Sequence, residues 1–318
     1  MKKRVWFKLA AAFSVMAASL LLSACKSNAA SGSGEAPKGT DKGKSAAISN
    51  PLTPPAKGNI PVAFLISEGA VVIDFAGPWE VFQDVHIPNR ENMMPFQLYT
   101  VGQTTKPIHA SGGMKIIPDY SIANAPIPKV LVIPAQSDLS PATKEWVRKV
   151  AKNADVTMSV CTGAFALAST GLLSGKAATT HHSAYARLAT KFPDIQVKRG
   201  ARFVEAGNLA SAGGLSSGID LALRVVERYF GREAARQTAY DMEYQGEGWM
   251  NADSNAVYAH AFAQSEEHPI CPVCGMAVDP ATAPKSVYKG KTYYFMSEQH
   301  KQQFDANPEL YLEGAKKQ

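Results

Sequence analysis

No apolar stretch in the 318-residue chain is long enough for a comfortable membrane span; the run Leu9–Leu22 falls short of the roughly 20 residues a spanning helix needs. A basic surface is missing as well. The formal charge is +6, from 33 lysines and arginines against 27 acidic residues, but four of the cations (Lys2, Lys3, Arg4, Lys8) sit in the first 24 residues, where no acidic residue stands. The remainder is therefore nearly neutral, with no basic cluster in its globular part. No helix-turn-helix segment is read after residue 245 either, so nucleic acid is not expected as a partner. Between Lys26 and Asn59 large apolar residues are almost absent, and Ser, Gly, Ala, Lys and Pro take their place. Such a segment cannot bury a core and reads as a flexible tether over residues 26–59.

What is present begins with an address. The basic start and the short apolar run are the pattern of a signal peptide. The run ends in Leu22-Ser23-Ala24-Cys25, which looks like a bacterial lipobox. That likeness implies cleavage before Cys25, lipidation of Cys25, and a mature protein held to a membrane by its lipid. Lys26 stands where an inner-membrane retention signal usually has Asp, which places the chain on the outer membrane, facing the periplasm. The compartment is then oxidising.

With 46% apolar residues, the rest of the chain has enough material for one large domain and a smaller one. The large domain is organised around Asp155–His182. Val156, Met158 and Val160 alternate as in a strand, Cys161-Thr162-Gly163 breaks the pattern, and Ala164 to Ala168 are good helix formers. A side chain at a strand-to-helix turn lies beside free backbone N–H groups and the positive end of a helix dipole. There a cysteine is expected to have a lowered thiol pKa, which makes Cys161 the candidate nucleophile.

The neighbouring sequence supplies the frame. Val62–Ile66, Phe96–Val101 and Lys129–Pro134 read as strands, and Thr143–Lys152 as a helix; such alternation predicts a doubly wound, parallel α/β sheet. Phe203–Glu205 and Asn208–Ala212 read as further short strands, followed by helices over Leu215–Tyr229 and Arg232–Glu243. Asp74 stands among apolar neighbours just before Gly77-Pro78, where a turn or helix start is expected. It is therefore either a helix N-cap or a functional carboxylate, because an unpaired buried charge is costly.

The segments IDFAGPWEVF (73–82), VCTGAFALASTGLLSGKAATTH (160–181) and NLASAGGLSSGIDLALRVVERYFG (208–231) resemble the DJ-1/PfpI superfamily of the class I glutamine-amidotransferase-like fold. The nearest branch holds isonitrile hydratases and the sensor domains of AraC-type regulators. The resemblance covers residues 60–245 and implies a flavodoxin-like sheet with a nucleophile elbow. It also implies Cys161 as nucleophile, Thr162 beside it, Asp74 approaching from the first strand's loop, His181 near the pocket, and a homodimer. No cofactor is required at that site. His181 either orients water or is a structural polar residue. Ala135-Gln136 replaces the family's usual Gly-Gly after the third strand.

A polar linker (246–269) leads to a second module. Cys271-Pro-Val-Cys274 sits in a tight turn, Tyr288 to Phe295 reads as a hairpin whose aromatics form core, and Ser297–Phe304 as a short helix. Residues 270–312 resemble a YHS domain, a treble-clef-like metal-associated module. In that family a second cysteine pair usually sits where this chain has Met296 and His300. Cys274-Gly-Met276 also resembles the copper-binding CxM of periplasmic accessory lipoproteins in nitrous-oxide respiration. Cys271, Cys274 and His300, with Met276 or Met296, therefore form a candidate site for copper or another soft metal ahead of zinc. The competing reading is a Cys271–Cys274 disulfide or an empty relict site.

Three functions are compatible with these features. One is a lipid-anchored, isonitrile-hydratase-like cysteine lyase or hydrolase with a small-molecule substrate. The second is a periplasmic lipoprotein that binds a small ligand and a metal without turnover. The third is a redox or stress-protection protein of DJ-1 type with Cys161 as an oxidation sensor or glyoxalase-like centre.

Overall fold

The computed structural model describes residues 49–259, 269–274 and 276–312. The signal peptide with Cys25, the tether as far as residue 48, and linker residues 260–268 lie outside the described residues.

Seven strands build one sheet: β1 (Ile60–Leu65), β2 (Phe96–Gly102), β3 (Tyr120–Ser121), β4 (Val130–Ile133), β5 (Val156–Ser159), β6 (Phe203–Ala206) and β7 (Leu209–Ala212). Their spatial order is β6-β7-β5-β4-β1-β2-β3. Every pairing is parallel except the β6–β7 hairpin at the edge. All four residues of β4 and of β5 are buried, as expected for central strands covered on both faces.

The period-2 alternation of strand side chains divides the interior into two layers. Val62 and Phe64 of β1 join one apolar cluster, Ala63 and Leu65 the other. The first layer is covered by α1 (Val72–Gln83) and α5 (Ser217–Phe230), the second by α2 (Pro141–Ala151) and α3 (Gly163–Ala168). Ser140 caps α2 by accepting the Thr143 N–H at 3.2 Å, with Pro141 at the first helical position. The remaining helices of the large domain are α4 (Tyr185–Lys191) and α6 (Arg232–Asp241). No helix among the described residues is long and apolar enough to cross a membrane.

Three boundaries differ from the sequence reading. Helix α1 runs straight through Gly77-Pro78, where a turn or helix start is expected. Gly77 lets α1 meet α5 closely, since a Cβ there would lie 2.9 Å from Ile219 Cγ1. Order also begins before Ile60. Arg224 and Arg228 of α5 are buried and need acceptors, and they find Glu205 and Glu227 together with the carbonyls of Ser49 and Asn50. Finally, residues 246–259 are not a free linker: Trp249 is 3% exposed and joins the first apolar cluster.

The C-terminal module is a hairpin, β8 (Lys285–Tyr288) with β9 (Lys291–Tyr294), followed by α7 (Glu298–Ala306) and α8 (Pro308–Leu312). Lys289 and Gly290 make the two-residue turn at φ 51° and 77°, the conformation such hairpins favour. Tyr293 and Phe295 pack with Cys271, Val273, Phe304 and Tyr311, whereas Tyr294 is only half-buried. Ala186 of α4 joins this cluster, and Arg199 donates to the Leu310 carbonyl at 2.9 Å.

Candidate functional site

Cys161 stands where β5 ends and α3 begins, at φ +57°, a left-handed conformation that costs free energy in any residue with a Cβ. The turn is held from every side. Val160 N–H donates to the Ile133 carbonyl at 3.0 Å and Cys161 N–H to that of Gly213 at 2.8 Å. The Thr180 hydroxyl donates to the Cys161 carbonyl at 2.9 Å. Gly163 is required because a Cβ would lie 2.2 Å from the Ile133 carbonyl oxygen. These contacts aim the thiol at the carboxyl-terminal edge of the sheet, where ligands of open α/β folds bind.

Asp74 reaches the same point from α1. It is not an N-cap: it lies inside the first turn, and the Val72 N–H is instead accepted by the distant Ser111 hydroxyl at 3.0 Å. The Asp74 side chain is fully buried. Its Oδ2 accepts the Ala135 N–H at 3.1 Å, and its Oδ1 has no conventional hydrogen-bond partner among the described residues. Ala135 thus commits its N–H to orienting Asp74. Gln136 turns away, accepting from the Ser67 hydroxyl and donating to the Leu65 carbonyl.

The electrostatics reverse the sequence expectation for the thiol. Burial pushes Cys161 up to about 12, and the negative charge of Asp74 adds to the rise. The Thr162 N–H and hydroxyl and the Leu215 N–H face the sulfur and oppose the rise without overcoming it. The helix behind Cys161 has only six residues, too short for a strong dipole to compensate. Burial likewise raises the Asp74 carboxyl to about 6, against the pull of the Ala135 N–H and the Cys161 thiol. Near neutral pH the pair is therefore a protonated thiol against a largely ionised carboxylate.

His181 is close by, but no hydrogen bond joins it to Cys161 among the described residues. Its Nδ1 accepts the Ser183 N–H at 3.3 Å and lies 2.8 Å from the Ser183 hydroxyl. Burial, with a smaller contribution from His182, lowers its pKa to about 4, so the ring is neutral at physiological pH. A Cys-His-acid triad is absent among the described residues. Leu215 was not legible as a site residue, because only its backbone N–H takes part.

In the C-terminal module Cys271, Cys274 and His300 bring their donor atoms within 4.8 Å of one another, with Cys271 Sγ 3.6 Å from His300 Nδ1. Both cysteines are free, so the disulfide reading does not hold. The turn is closed by the Cys271 N–H donating to the Met276 carbonyl at 2.9 Å, and Ser297 caps α7 so that His300 faces the thiols. Met276 and Met296 are both exposed, at 58% and 42%. Two thiols and one imidazole suit a borderline or soft cation, and these three side chains would hold it.

The fold and the elbow define an α/β protein with a buried cysteine–carboxylate pair. Comparison with known proteins makes this specific. Residues 61–228 match the DJ-1/PfpI family, and the chain belongs to that family; residues 270–315 match the YHS domain. The chain is 30% identical over 188 residues to the isonitrile hydratase of Pseudomonas putida, covering 58% of this chain and 78% of the hydratase. It is 27% identical over 180 residues to the HTH-type transcriptional regulator CdhR of Pseudomonas aeruginosa, covering 55% of this chain and 52% of CdhR, so it spans about half of that regulator's length. Among solved structures, a THiJ/PfpI family protein from Pseudomonas syringae superposes with a TM-score of 0.53 at 26% identity, covering 61% of this chain and 78% of that one.

Proposed function

We propose that the large domain is a cysteine-dependent hydratase of isonitriles. The observation that carries this reading is the Asp74 carboxyl group, fully buried and hydrogen-bonded by the Cys161 thiol. A proton acceptor of pKa about 6 beside a thiol of about 12 suits a substrate that needs a nucleophile and a proton at the same carbon. Sulfur forms a bond to the terminal carbon of R–N≡C while the thiol proton passes through Asp74 to that carbon, giving the thioimidate R–N=CH–S–Cys161. Water then adds to the same carbon, the C–S bond breaks, and the sulfur recovers its proton. The product is R–NH–CHO. The thiol ionises as the C–S bond forms, so no standing thiolate is required. The Thr162 and Leu215 N–H groups steady the sulfur as charge develops on it.

The test is incubation of the purified chain with a simple alkyl isonitrile and detection of the N-substituted formamide. Product should form with the parent and be undetectable with Cys161→Ser. A second reading, ligand binding without turnover, is favoured by the protonated thiol and by the regulator among the relatives; ligand binding with no product would establish it.

The C-terminal trio is read as a copper or other soft-metal site. The amino-terminal sequence supports a lipid-anchored protein on the periplasmic face of the outer membrane. Cells fed labelled palmitate should incorporate label into the parent chain and none into Cys25→Ala.

A further inference from the structure

Residues 248–259 lie beyond the family-matched segment 61–228, yet they are built into the site. The Ala252 carbonyl accepts the Arg202 N–H at 2.6 Å. Asn255, only 6% exposed, accepts from Arg202 Nη1 at 3.2 Å and donates to the Ser217 hydroxyl at 3.3 Å. Two glycines make room for this strap. A Cβ on Gly200 would lie 2.9 Å from the Ala259 Cβ, and one on Gly213 would lie 2.9 Å from Asn255 Nδ2. Gly213 is the residue whose carbonyl holds the Cys161 N–H, so the strap backs directly onto the elbow.

Between strap and elbow lies a pocket of ≈ 180 Å³. Its aromatic wall is His181, His182, Tyr185 and Tyr258. Tyr258, supplied by the strap, stacks on His182 with centroids 5.4 Å apart and planes at 29°; His182 in turn lies 4.2 Å from His181. Leu215 both lines this pocket and directs its N–H at the Cys161 sulfur, so one residue joins the pocket wall to the thiol. The pocket carries little net charge. Arg202 is paired with the fully buried Asp220, and burial keeps both imidazoles neutral at physiological pH. A cavity of about 150 Å³ is known to accept one benzene ring, so the space here has room for a single ring.

We infer that this pocket is the substituent site of the Cys161 centre, that the 248–259 strap is its specificity element, and that it selects electrophiles bearing one uncharged ring. The substrate class rests on the hydratase reading; the ring preference does not. Two measurements separate them. With isonitriles, the parent should favour benzyl over methyl in kcat/KM, and Tyr258→Ala should reduce that ratio about tenfold, the equivalent of one lost aromatic contact. Without any turnover, Cys161 labelling by N-benzyl- and N-methyl-iodoacetamide, read by mass spectrometry of its peptide, should show the same preference. Tyr258→Ala should reduce it and Tyr258→Phe should keep it. Tyr258 is 41% exposed, so neither replacement threatens folding. A benzyl reagent no faster than the methyl one, or a ratio unchanged in Tyr258→Ala, overturns the inference. If no isonitrile is hydrated but the labelling preference depends on Tyr258, the inference stands and the hydratase reading falls.

Discussion

Asp74→Asn is expected to stabilise the protein near neutral pH while removing the proposed hydratase activity. The folded state raises this carboxyl from 3.8 to about 6, so it prefers the protonated form. The associated stability is present in full below 3.8 and is lost as pH rises through about 6. Above that pH the buried carboxylate costs the fold on the order of 3 kcal/mol at most, since each tenfold change in proton affinity is worth about 1.4 kcal/mol. Asparagine keeps an oxygen for the Ala135 N–H and carries no charge. Thermal unfolding should therefore rise by several degrees at about pH 8 and hardly change at about pH 4. The same substitution removes the charge that raises Cys161, so the thiol's pKa should fall and iodoacetamide should label it faster at mildly alkaline pH. Turnover should nonetheless drop by about 10²- to 10⁴-fold, the usual contribution of a positioned acid–base group. A base that activated its nucleophile by creating a standing thiolate would give the opposite labelling result. Lower stability at pH 8, or unchanged turnover, would remove Asp74 from its assigned role.

Removing both thiols of the C-terminal trio should have an effect as large on metal binding and none on the elbow. Cys271 is fully buried in the small module's core, and burial raises the Cys274 thiol above its ordinary value. A cation that displaces both protons therefore binds more tightly as pH rises. Saturation at about a thousandfold over Kd would stabilise the folded module by about 4 kcal/mol. Titration with Cu(I) against a chromophoric chelator, repeated with Zn(II), should show one site in the parent and in Cys161→Ser, with copper held more tightly. In the Cys271→Ser/Cys274→Ser double variant binding should fall by at least about 10³-fold, and the metal-dependent rise in unfolding temperature should vanish. Equal binding by parent and double variant would show that the trio is not the site. Binding confined to variants that retain Met276 and Met296 would bring the exposed thioethers into the ligand set.

Much of this molecule is written locally. The alternation in Val156–Val160, the break at Cys161-Thr162-Gly163 and the apolar runs of the central strands depend on near neighbours, so sheet, elbow and C-terminal hairpin are legible in the sequence. The Cys271-Pro-Val-Cys274 turn and the His300 helix are legible for the same reason, although how closely their donor atoms converge is not. Other features depend on partners distant in the chain. Helix α1 passes through Pro78, with Ser111 accepting its first N–H and α5 packed against Gly77, and neither contact is visible from residues 72–83. The strap reads as polar linker because only Trp249 and Asn255 are buried among its residues 248–259, each against elements earlier in the chain. The clearest case is Cys161 itself. Sequence places it at a turn of a kind that usually activates a thiol, whereas the tertiary structure encloses it, sets a carboxylate beside it and gives it a six-residue helix. A side chain's position is decided largely by its own segment; its proton affinity is the sum of everything folded around it, and only the assembled sheet and helices determine that sum.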